Sequence, residues 1–274
     1  MHEADLSAEA IQAGLETQAL GRRLFYYECV DSTQSVARIL ARQGADEGTC
    51  VVADEQTAGR GRLNRRWLAP RGTCLLFTVL LRPPLEPNRL NGLTMVCGLA
   101  VRRAIRELTG LPAQLKWPND ILLSHRKAGG ILTEASLQGD KVEFALCGIG
   151  LNVNLPAAEL PRELQATSVM QELGVRFPRA TLLRRILACI ESDYTSLCHG
   201  AWPLDEWSRS LETIGTQVCL NTGQGQFQGL AESVDAEGAL LVRLADGSLR
   251  RVLVADIVPI CGTAPGDSPP TWRS

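Results

Sequence analysis

Residues 51–67 read VVADEQTAGRGRLNRRW, a β-branched start followed by a basic loop that two glycines interrupt. Val51 and Val52 are typical of the end of a strand. Gly59 and Gly61 allow the backbone to approach a ligand closely and to adopt positive φ. The arginines between and after them are planar donors suited to phosphate and carboxylate groups. The stretch alone fits two interpretations, a loop that orders around an anionic ligand and a solvated basic turn.

The composition is that of a globular protein. Of the 274 residues, 45% are hydrophobic, which argues against an intrinsically disordered chain. The formal net charge is −2, so the basic character is local, which favours a small anionic ligand over a nucleic acid bound across the whole surface. The three histidines lack metal-ligand spacing, which disfavours a transition-metal site held by the protein.

The cysteines and the N-terminus bear on the cellular compartment. The nine cysteines are widely spaced, include no Cys-x-x-Cys pair and lie mostly in apolar runs. This pattern predicts buried thiols in a reducing compartment rather than a disulfide framework. The N-terminus lacks the apolar core of a signal peptide, and the longest strongly apolar run, residues 74–81, is too short to span a bilayer as a helix. We therefore expect a cytoplasmic protein without a membrane partner.

Apolar periodicity predicts mixed strands and helices up to residue 212, with no internal repeat. Strands are predicted at 23–30, 49–53, 73–81 and 144–153, with a further short strand from 114, and helices at 6–20, 35–44, 90–108, 160–197 and 207–211. Ser32 and Thr33 fall at a strand-to-helix junction, where free backbone N–H groups and hydroxyls converge. Their hydroxyls fit a helix cap and a ligand site equally well.

Two later segments carry polar groups in unusual places. The sequence Trp-Pro-Asn-Asp at 117–120 predicts a kink that displays an aromatic ring, an amide and a carboxylate close together, because Pro118 removes a ladder donor and keeps its neighbour extended. Lys127 stands at a predicted hairpin edge before Gly129 and Gly130, which let another group lie against the backbone. A lysine at the start of a strand is more often a solvated charge than a functional group.

Residues from 215 onward show a separate all-β pattern. Four short runs, TQVCL, GQFQGLAESV, GALLVRL and SLRRVLV, are separated by turns at 221–223, 235–238 and 245–247. Their spacing predicts a small closed β-barrel. The final residues, 263–274, are rich in proline, glycine and serine and are expected to be disordered.

Five segments, in this order, resemble those of the bacterial biotin protein ligases, also called biotin–[acetyl-CoA-carboxylase] ligases. They are DSTQ at 31–34, QTAGRGR at 56–62, KWPND at 116–120, KAGGIL at 127–132 and GIGLNVN at 148–154. The resemblance covers residues 6–262 and implies an α+β fold, in which a mixed sheet with helices, related to class II aminoacyl-tRNA synthetases, precedes an SH3-like β-barrel. The implied division is a linker-like segment at 1–22, a catalytic domain that binds biotin and ATP at 23–212, the barrel at 213–262 and a flexible tail at 263–274.

The same resemblance implies a ligase that works in two steps. Biotin and ATP, with Mg²⁺, give biotinyl-5′-AMP and pyrophosphate, and the biotinyl group then passes to a specific lysine of a biotin carboxyl carrier protein domain of acetyl-CoA or pyruvate carboxylase. Two alternatives remain open, a lipoate protein ligase, which shares the catalytic fold, and a non-catalytic biotin-binding regulator. The sequence leaves a homodimer open as well.

The resemblance also assigns a role to each matched residue. Lys127 is implied to be the main catalytic cation, with Arg62 as the second. The biotin site is implied to consist of Ser32, Thr33, Gln34, Gln56, Arg60, Gly61, Arg62 and Lys127, and the ATP site of Trp67, Lys116, Asn119, Asp120 and Asn152. Ser32, Thr33 and Gln56 are expected at the ureido head of biotin. Trp67 is expected to pack on adenine, whereas Asp120 also fits a purely structural acid.

The sequence departs from the family pattern at three places. Leu63 and Asn64 stand where the family loop has a glycine as its second residue, and asparagine tolerates left-handed φ better than most residues, so the turn is expected to survive. Gln34 stands where the family often has asparagine. Bifunctional members carry an N-terminal helix-turn-helix domain, for which the residues before the first predicted strand are too few. We therefore expect a monofunctional ligase that does not bind DNA.

Overall fold

The computed structural model describes residues 5–62, 65–67, 69–160, 165–223 and 225–258. The chain divides into two compact units, Met1–Leu211 and Glu212–Ser274. Two expectations from the sequence, the turn at Leu63 and Asn64 and the disordered tail at 263–274, lie outside the described residues.

A seven-stranded sheet forms the centre of the first unit. Its strands are β1 (Leu24–Val30), β2 (Cys50–Gln56), β3 (Cys74–Leu81), β4 (Gln114–Lys116), β5 (Asp120–Leu123), β6 (Arg126–Gln138) and β7 (Lys141–Asn152). They lie in the order β1-β2-β3-β7-β6-β5-β4. β1 and β2 run parallel, and the other neighbouring pairs are antiparallel. Every residue of β3 is buried, as a continuous apolar run predicts for a strand covered on both faces.

Helices cover this sheet. Those in the described ranges are α1 (Ala8–Gln12), α2 (Thr33–Arg42), α3 (Asn91–Thr109), α4 (Val169–Leu173), α5 (Arg179–Cys198) and α6 (Leu204–Ser210). α2 connects β1 to β2 and packs against β2, β3 and β7, whereas α3 packs against α5, α6 and β6. The core beneath α2 includes Ala37, Ala41, Leu80 and Phe144. α3 ends as predicted at Gly110, which adopts the left-handed conformation (φ 73°) that glycine adopts without steric cost.

The predicted helix at 6–20 is wrong beyond its first turns. The helix begins after Ser7, whose hydroxyl accepts the Ala10 N–H at 3.1 Å. Gly14 then enters the left-handed region (φ 101°). The backbone N–H groups of residues 18–20 donate to the Glu191 carboxylate at 2.7–2.9 Å instead of to helical carbonyls. A side chain of α5 thus replaces the helical hydrogen bonds that the local pattern predicts.

The predicted helix at 160–197 is wrong as a single element. α4 ends at Gly174, which is left-handed (φ 78°), and α5 begins after Pro178. Proline at the start of a helix is well tolerated, but it breaks the ladder of any helix that runs through it. The apolar spacing continued across this break, which is why periodicity alone missed it.

The second unit is an antiparallel five-stranded sheet. Its strands are β8 (Gln217–Thr222), β9 (Gly225–Val234), β10 (Leu240–Arg243), β11 (Leu249–Val252) and β12 (Asp256–Val258). They lie in the order β11-β10-β9-β8-β12. The four predicted strands are confirmed, and the three-residue β12 was missed. Within the residues described up to 258, β11 and β12 do not pair with each other, so the expected closure of the barrel is not seen.

Most of the described cysteines are buried, as the apolar runs around them predict. The eight cysteines in the described part of the chain are free thiols, and six of them are buried. Burial raises the pKa of Cys50 to about 12 and that of Cys74 to about 11, so both stay protonated and unreactive at neutral pH. Across the described ranges, no helix combines the length and the apolar character needed to cross a bilayer.

Candidate active site

The basic loop after β2 folds back on itself as a small hairpin. Arg60 pairs with Arg66 in an isolated antiparallel bridge, and the Trp67 N–H donates to the Gly59 carbonyl at 2.9 Å. A Cβ at Gly59 would lie 2.7 Å from the Trp67 carbonyl oxygen, so only glycine permits this closure. The hairpin therefore returns the chain to the sheet and delivers the Trp67 ring to it.

The Trp67 ring lies on a floor of two glycines, Gly130 of β6 and Gly150 of β7. A Cβ at Gly150 would lie 2.8 Å from Trp67 Cε2, whereas one at Gly130 would lie 3.8 Å from Trp67 Cζ3. The Lys127 Nζ lies 6.0 Å from the ring centroid, within the range of a cation–π contact. The buried Trp67 Nε1 has no hydrogen-bond partner among the residues that the structure describes. We call Gly130 and Gly150 the glycine floor.

Lys127 is fixed through both its backbone and its side chain. Its N–H donates to the Gln165 carbonyl at 3.1 Å, and its carbonyl accepts the Thr167 N–H at 2.9 Å. Its Nζ donates to Asp120 Oδ1 at 2.6 Å, and the lysine side chain is 30% exposed. The β5–β6 register shifts beside Leu122, the partner of Lys127, and a bulge of this kind re-aims the side chains next to it. Lys127 is therefore an oriented, partly buried charge.

The Trp-Pro-Asn-Asp kink forms the turn between β4 and β5. Its Trp117–Pro118 peptide bond is cis, and the Trp117 ring is buried. Asn119 bonds to both backbone groups of Ile131. Its side-chain Nδ2 donates to the Ile131 carbonyl at 2.6 Å, and its backbone carbonyl accepts the Ile131 N–H at 3.0 Å. The remaining amide oxygen, Oδ1, accepts Arg62 Nη1 at 3.3 Å. Asn119 thus links the basic loop to the kink.

The strand-to-helix junction at Ser32 and Thr33 is organised by Gln56. The Thr33 N–H and the Thr33 hydroxyl both donate to Gln56 Oε1, at 2.7 and 3.0 Å, and the hydroxyl also contacts Thr78 Oγ1 at 2.9 Å. Ser32 is the N-cap residue of α2, but its side chain makes no capping bond in the described structure. The side chain from the end of β2 therefore caps α2 and orients the Thr33 hydroxyl.

Gln34 lies against the neighbouring strand through a third glycine. Its side chain is buried, and its Nε2 donates to the Leu132 carbonyl at 2.5 Å. A Cβ at Gly148 would lie 2.5 Å from this nitrogen. The Gln34 Oε1 is buried and has no partner in the part of the chain that the structure covers. An unpaired buried acceptor is costly, so this oxygen is a strong candidate for a ligand N–H.

The other predicted site residues are less closely joined to this centre. Asn152 is buried, and its Nδ2 donates to the Thr167 carbonyl at 3.0 Å. Lys116 pairs with Asp120 across the β4–β5 ladder. Arg60 is exposed, and its Nη2 reaches the Ser35 hydroxyl at 3.3 Å. The structure therefore brings the predicted residues into three clusters, around Lys127, around Gln56 and around Asn119.

The sequence indicated Gly130 as a place where another group lies against the backbone, but Gly148 and Gly150 were not recognised in this way. All three lie in strand interiors, where glycine often marks the close approach of another group. The alternation Gly148-x-Gly150 places both on one face of β7. That alternation was a usable signal, although Trp67 and Gln34 could be named as the approaching groups only from the structure.

Comparison of the sequence with known proteins shows the family of this chain. Residues 26–152 match the Biotin/lipoate A/B protein ligase family, and residues 213–258 match the Biotin protein ligase C terminal domain. The chain is 39% identical over 256 residues to the Bifunctional ligase/repressor BirA of Bacillus subtilis (strain 168), which covers 92% of this chain and 78% of that protein. It is 35% identical over 215 residues to the Biotin–[acetyl-CoA-carboxylase] ligase of Mycobacterium tuberculosis (strain ATCC 25618 / H37Rv), covering 74% and 77% of the two chains.

Solved structures of biotin protein ligases are similar to this chain as well. The biotin protein ligase from Aquifex aeolicus in complex with biotin and ATP superposes with a TM-score of 0.72 at 31% identity, covering 86% of this chain and 98% of that one. The enzyme from Leishmania major in complex with biotinyl-5-AMP matches with a TM-score of 0.58 at 26% identity, covering 85% and 99%. These likenesses confirm the predicted α+β catalytic fold, and the match at 213–258 supports the SH3-like assignment of the second unit. The chain belongs to the biotin protein ligase family and is an enzyme of the ligase class.

Proposed function

We propose that the chain activates biotin with ATP to biotinyl-5′-AMP and transfers the biotinyl group to a lysine of a biotin carboxyl carrier protein domain. The observation that carries this proposal is the Lys127–Asp120 pair (2.6 Å) beside the Trp67 ring on the glycine floor. Family membership supports ligase chemistry, and the Aquifex aeolicus relative is itself a complex with biotin and ATP. The family that matches residues 26–152 includes lipoate ligases as well as biotin ligases. The domain that matches residues 213–258 is that of biotin protein ligases.

In the first step, a carboxylate oxygen of biotin attacks the α-phosphorus of ATP. A bond forms between this carboxylate oxygen and the α-phosphorus. The bond from the α-phosphorus to the oxygen that joins it to the β-phosphorus breaks, which releases pyrophosphate. Both partners are anionic, so catalysis consists of neutralising them and holding them in line. We assign this task to Lys127, which leaves Asp120 for the reacting groups, and to Arg62, which the Asn119 amide holds at 3.3 Å. In the second step, the amine of the carrier lysine attacks the acyl carbon, and AMP leaves.

We propose that biotin binds in the cluster around Gln56. Its ureido head would contact the Thr33 hydroxyl, which Gln56 orients, and the Ser32 hydroxyl, which makes no capping bond to α2. The unpaired Gln34 Oε1 is an acceptor for a ureido N–H. We assign Arg60 and Gly61, on the basic loop, to cover this end of the ligand.

We propose that ATP binds over the Trp67 ring, which itself lies on the glycine floor. We assign the ring as the stacking partner of adenine, on the face turned away from the two glycines. Lys116, Asn119, Asp120 and Asn152 are assigned to the nucleotide side. We expect Mg²⁺ to enter with ATP, since this ion is commonly held by phosphates and few protein carboxylates.

A direct assay tests the activity. Purified protein is incubated with ATP, labelled pyrophosphate and biotin or lipoate, and then with a biotin carrier domain or a lipoyl domain. We expect biotin-dependent exchange of pyrophosphate into ATP and transfer to the biotin carrier domain alone. Exchange with lipoate but not with biotin would replace the proposal with the lipoate alternative, and binding of biotin without exchange would replace it with the regulator alternative.

The cellular setting follows from the same proposal. We expect the acceptor to be the carrier domain of acetyl-CoA or pyruvate carboxylase and the reaction to occur in the cytoplasm. A homodimer is tested by measuring the mass of the protein in solution with and without biotin and ATP.

Substituting Gly148 by alanine should weaken biotin binding. The new Cβ would lie 2.5 Å from Gln34 Nε2, so Gln34 must leave its position on β7. Overpacking costs about 1–3 kcal/mol, which corresponds to roughly 5- to 150-fold in Kd. Calorimetric titration with biotin measures the change. Gly223→Ala is the matched control, because a Cβ there meets nothing within 4 Å, and equal Kd values for the two variants would contradict the role of Gln34.

Substituting Arg62 by alanine should release the adenylate too early. The variant loses the donor that joins the basic loop to Asn119 at 3.3 Å and faces the proposed phosphate position. Loss of a charge-assisted bond costs about 1.5 kcal/mol or more, so we expect about tenfold more biotin on an unrelated protein such as serum albumin. The control is Arg66→Ala, an exposed arginine of the same loop that bonds to the Thr57 carbonyl. Unchanged labelling by the Arg62 variant would refute its gripping role.

A further inference from the structure

Glu172 of α4 lies outside the proposed biotin and ATP sites, yet three hydrogen-bond donors converge on its carboxylate. Its Oε2 accepts the Ser124 hydroxyl at 2.6 Å. Its Oε1 accepts Arg126 Nη2 at 2.6 Å and the Thr167 hydroxyl at 2.5 Å. The glutamate side chain is only 10% exposed. Buried carboxylates are uncommon unless they are paired in this way, and the activity described above makes no use of this one.

The three donors surround the backbone of Lys127. Arg126 is the residue before the lysine, and the Thr167 N–H donates to the Lys127 carbonyl at 2.9 Å. The Thr167 carbonyl in turn accepts the amide of Asn152 at 3.0 Å. The Glu172 carboxylate therefore links Arg126, which precedes Lys127 in β6, to Thr167, which bonds to the Lys127 backbone.

The third donor holds the turn that places Lys127 opposite Asp120. Ser124 and His125 connect β5 to β6, and both have positive φ, 47° and 63°. Two-residue hairpin turns of this form favour glycine and asparagine, because other side chains are strained there. The bond from the Ser124 hydroxyl to Glu172 stabilises a turn that its own sequence disfavours. The position of the lysine relative to Asp120 depends on this turn.

We propose that Glu172 is a positioning residue that holds Lys127 in place for the adenylation step, an inference that rests on the proposed function. Burial alone would raise the pKa of Glu172, but the bonds from Ser124, Thr167 and Arg126 outweigh burial and hold it below its ordinary value. The carboxylate is thus ionised at neutral pH, and it accepts all three donors at once. A neutral amide of the same shape cannot, because its NH₂ group is itself a donor.

The test is the Glu172→Gln variant in biotin-dependent ATP–pyrophosphate exchange. A small displacement of a catalytic group costs up to about 100-fold in rate, so we expect kcat to fall about 10- to 100-fold with KM for biotin and ATP changed less than about twofold. The matched control is Glu191→Gln, whose carboxylate also accepts three hydrogen bonds, from the backbone N–H groups of residues 18–20. That variant should melt at a lower temperature without a change in kcat.

Two further variants separate positioning from general stability. Ser124→Gly removes one bond to Glu172 but also relieves the strained turn, so it should fold normally and lose less kcat than Glu172→Gln. In the Lys127→Met background, Glu172→Gln should have no additional effect on the residual rate, because both changes remove the same group from the reaction. An effect that persists without Lys127, or an unchanged kcat in both Glu172→Gln and Ser124→Gly, would overturn the inference while leaving the proposed function intact. Absence of exchange in the unmodified protein would instead overturn the proposed function, and this inference with it.

Discussion

Lys127→Met should lower the rate of biotinyl-5′-AMP formation by about 10²–10³-fold. Removing one oriented donor from the charge that develops in a reaction has an effect of this size. The loss is compounded by Asp120, whose carboxylate keeps its position but loses the Nζ that now lies 2.6 Å away. An unpaired carboxylate repels both the biotin carboxylate and the phosphates. The rate is measured as biotin-dependent exchange of pyrophosphate into ATP.

Two companion variants sharpen this result. Lys141→Met removes an exposed lysine from the start of β7 and should leave the rate unchanged. Lys127→Met combined with Asp120→Asn should recover part of the lost binding of ATP, because the repelling charge is removed, but it should not restore the rate. A Lys127→Met protein that retains a rate close to normal would remove Lys127 from the mechanism.

Arg179→Met should destabilise the first unit by about 3–5 kcal/mol, the usual cost of removing one partner from a buried ion pair. The Arg179 side chain is 3% exposed. Its Nη1 donates to Asp54 Oδ1 at 2.6 Å and to the Cys74 carbonyl at 2.9 Å, and its Nη2 donates to Asp5 at 2.5 Å. Without the guanidinium, Asp54 keeps a buried carboxylate with less compensation. We expect a fall in melting temperature of roughly 6–20 °C, measured by circular dichroism.

Arg185→Met is the matched control on the same helix. Its Nε contacts Glu107 at 2.5 Å, but both side chains are about 40% exposed, and exposed ion pairs contribute about 0–1 kcal/mol. Adding Asp54→Leu to Arg179→Met should recover part of the stability, since an apolar pair of suitable volume often replaces a buried ion pair without loss. Equal melting temperatures for the two arginine variants would show that the buried network does not stabilise the fold.

The sequence predicted those parts of the fold that depend on short-range patterns. β3 and α3 were predicted nearly to the residue, because an unbroken apolar run and a helical stripe ending at Gly110 are local signals. The break at Gly174 and Pro178 was visible in the sequence, but apolar spacing on either side masked it. β12 spans only Asp256–Val258, too few residues to show an alternation.

In the candidate site, too, only the features with a local sequence signal were predicted. The basic loop, the kink and Lys127 could be named from residue type and order. The groups that hold them could not, because their partners are distant in sequence. Glu172 bonds to Ser124 and Arg126, 48 and 46 residues earlier, and Asp5 bonds to Arg179 across 174 residues. No local pattern records such pairs, so the support of a site is read from the fold and not from its motifs.

The Asp120–Lys127 pair has a consequence for how a substrate anion enters. Folding has already removed part of the water around the lysine ammonium, whose side chain is 30% exposed, and has placed a carboxylate counter-ion 2.6 Å from it. Part of the cost of dehydrating the cation is therefore included in the stability of the folded chain. In the proposed mechanism, an incoming anion must compete with Asp120 for the same ammonium, and the carboxylate that it displaces stays in the site as a negative charge. We therefore expect the internal counter-ion to weaken the binding of any anion that contacts only Lys127.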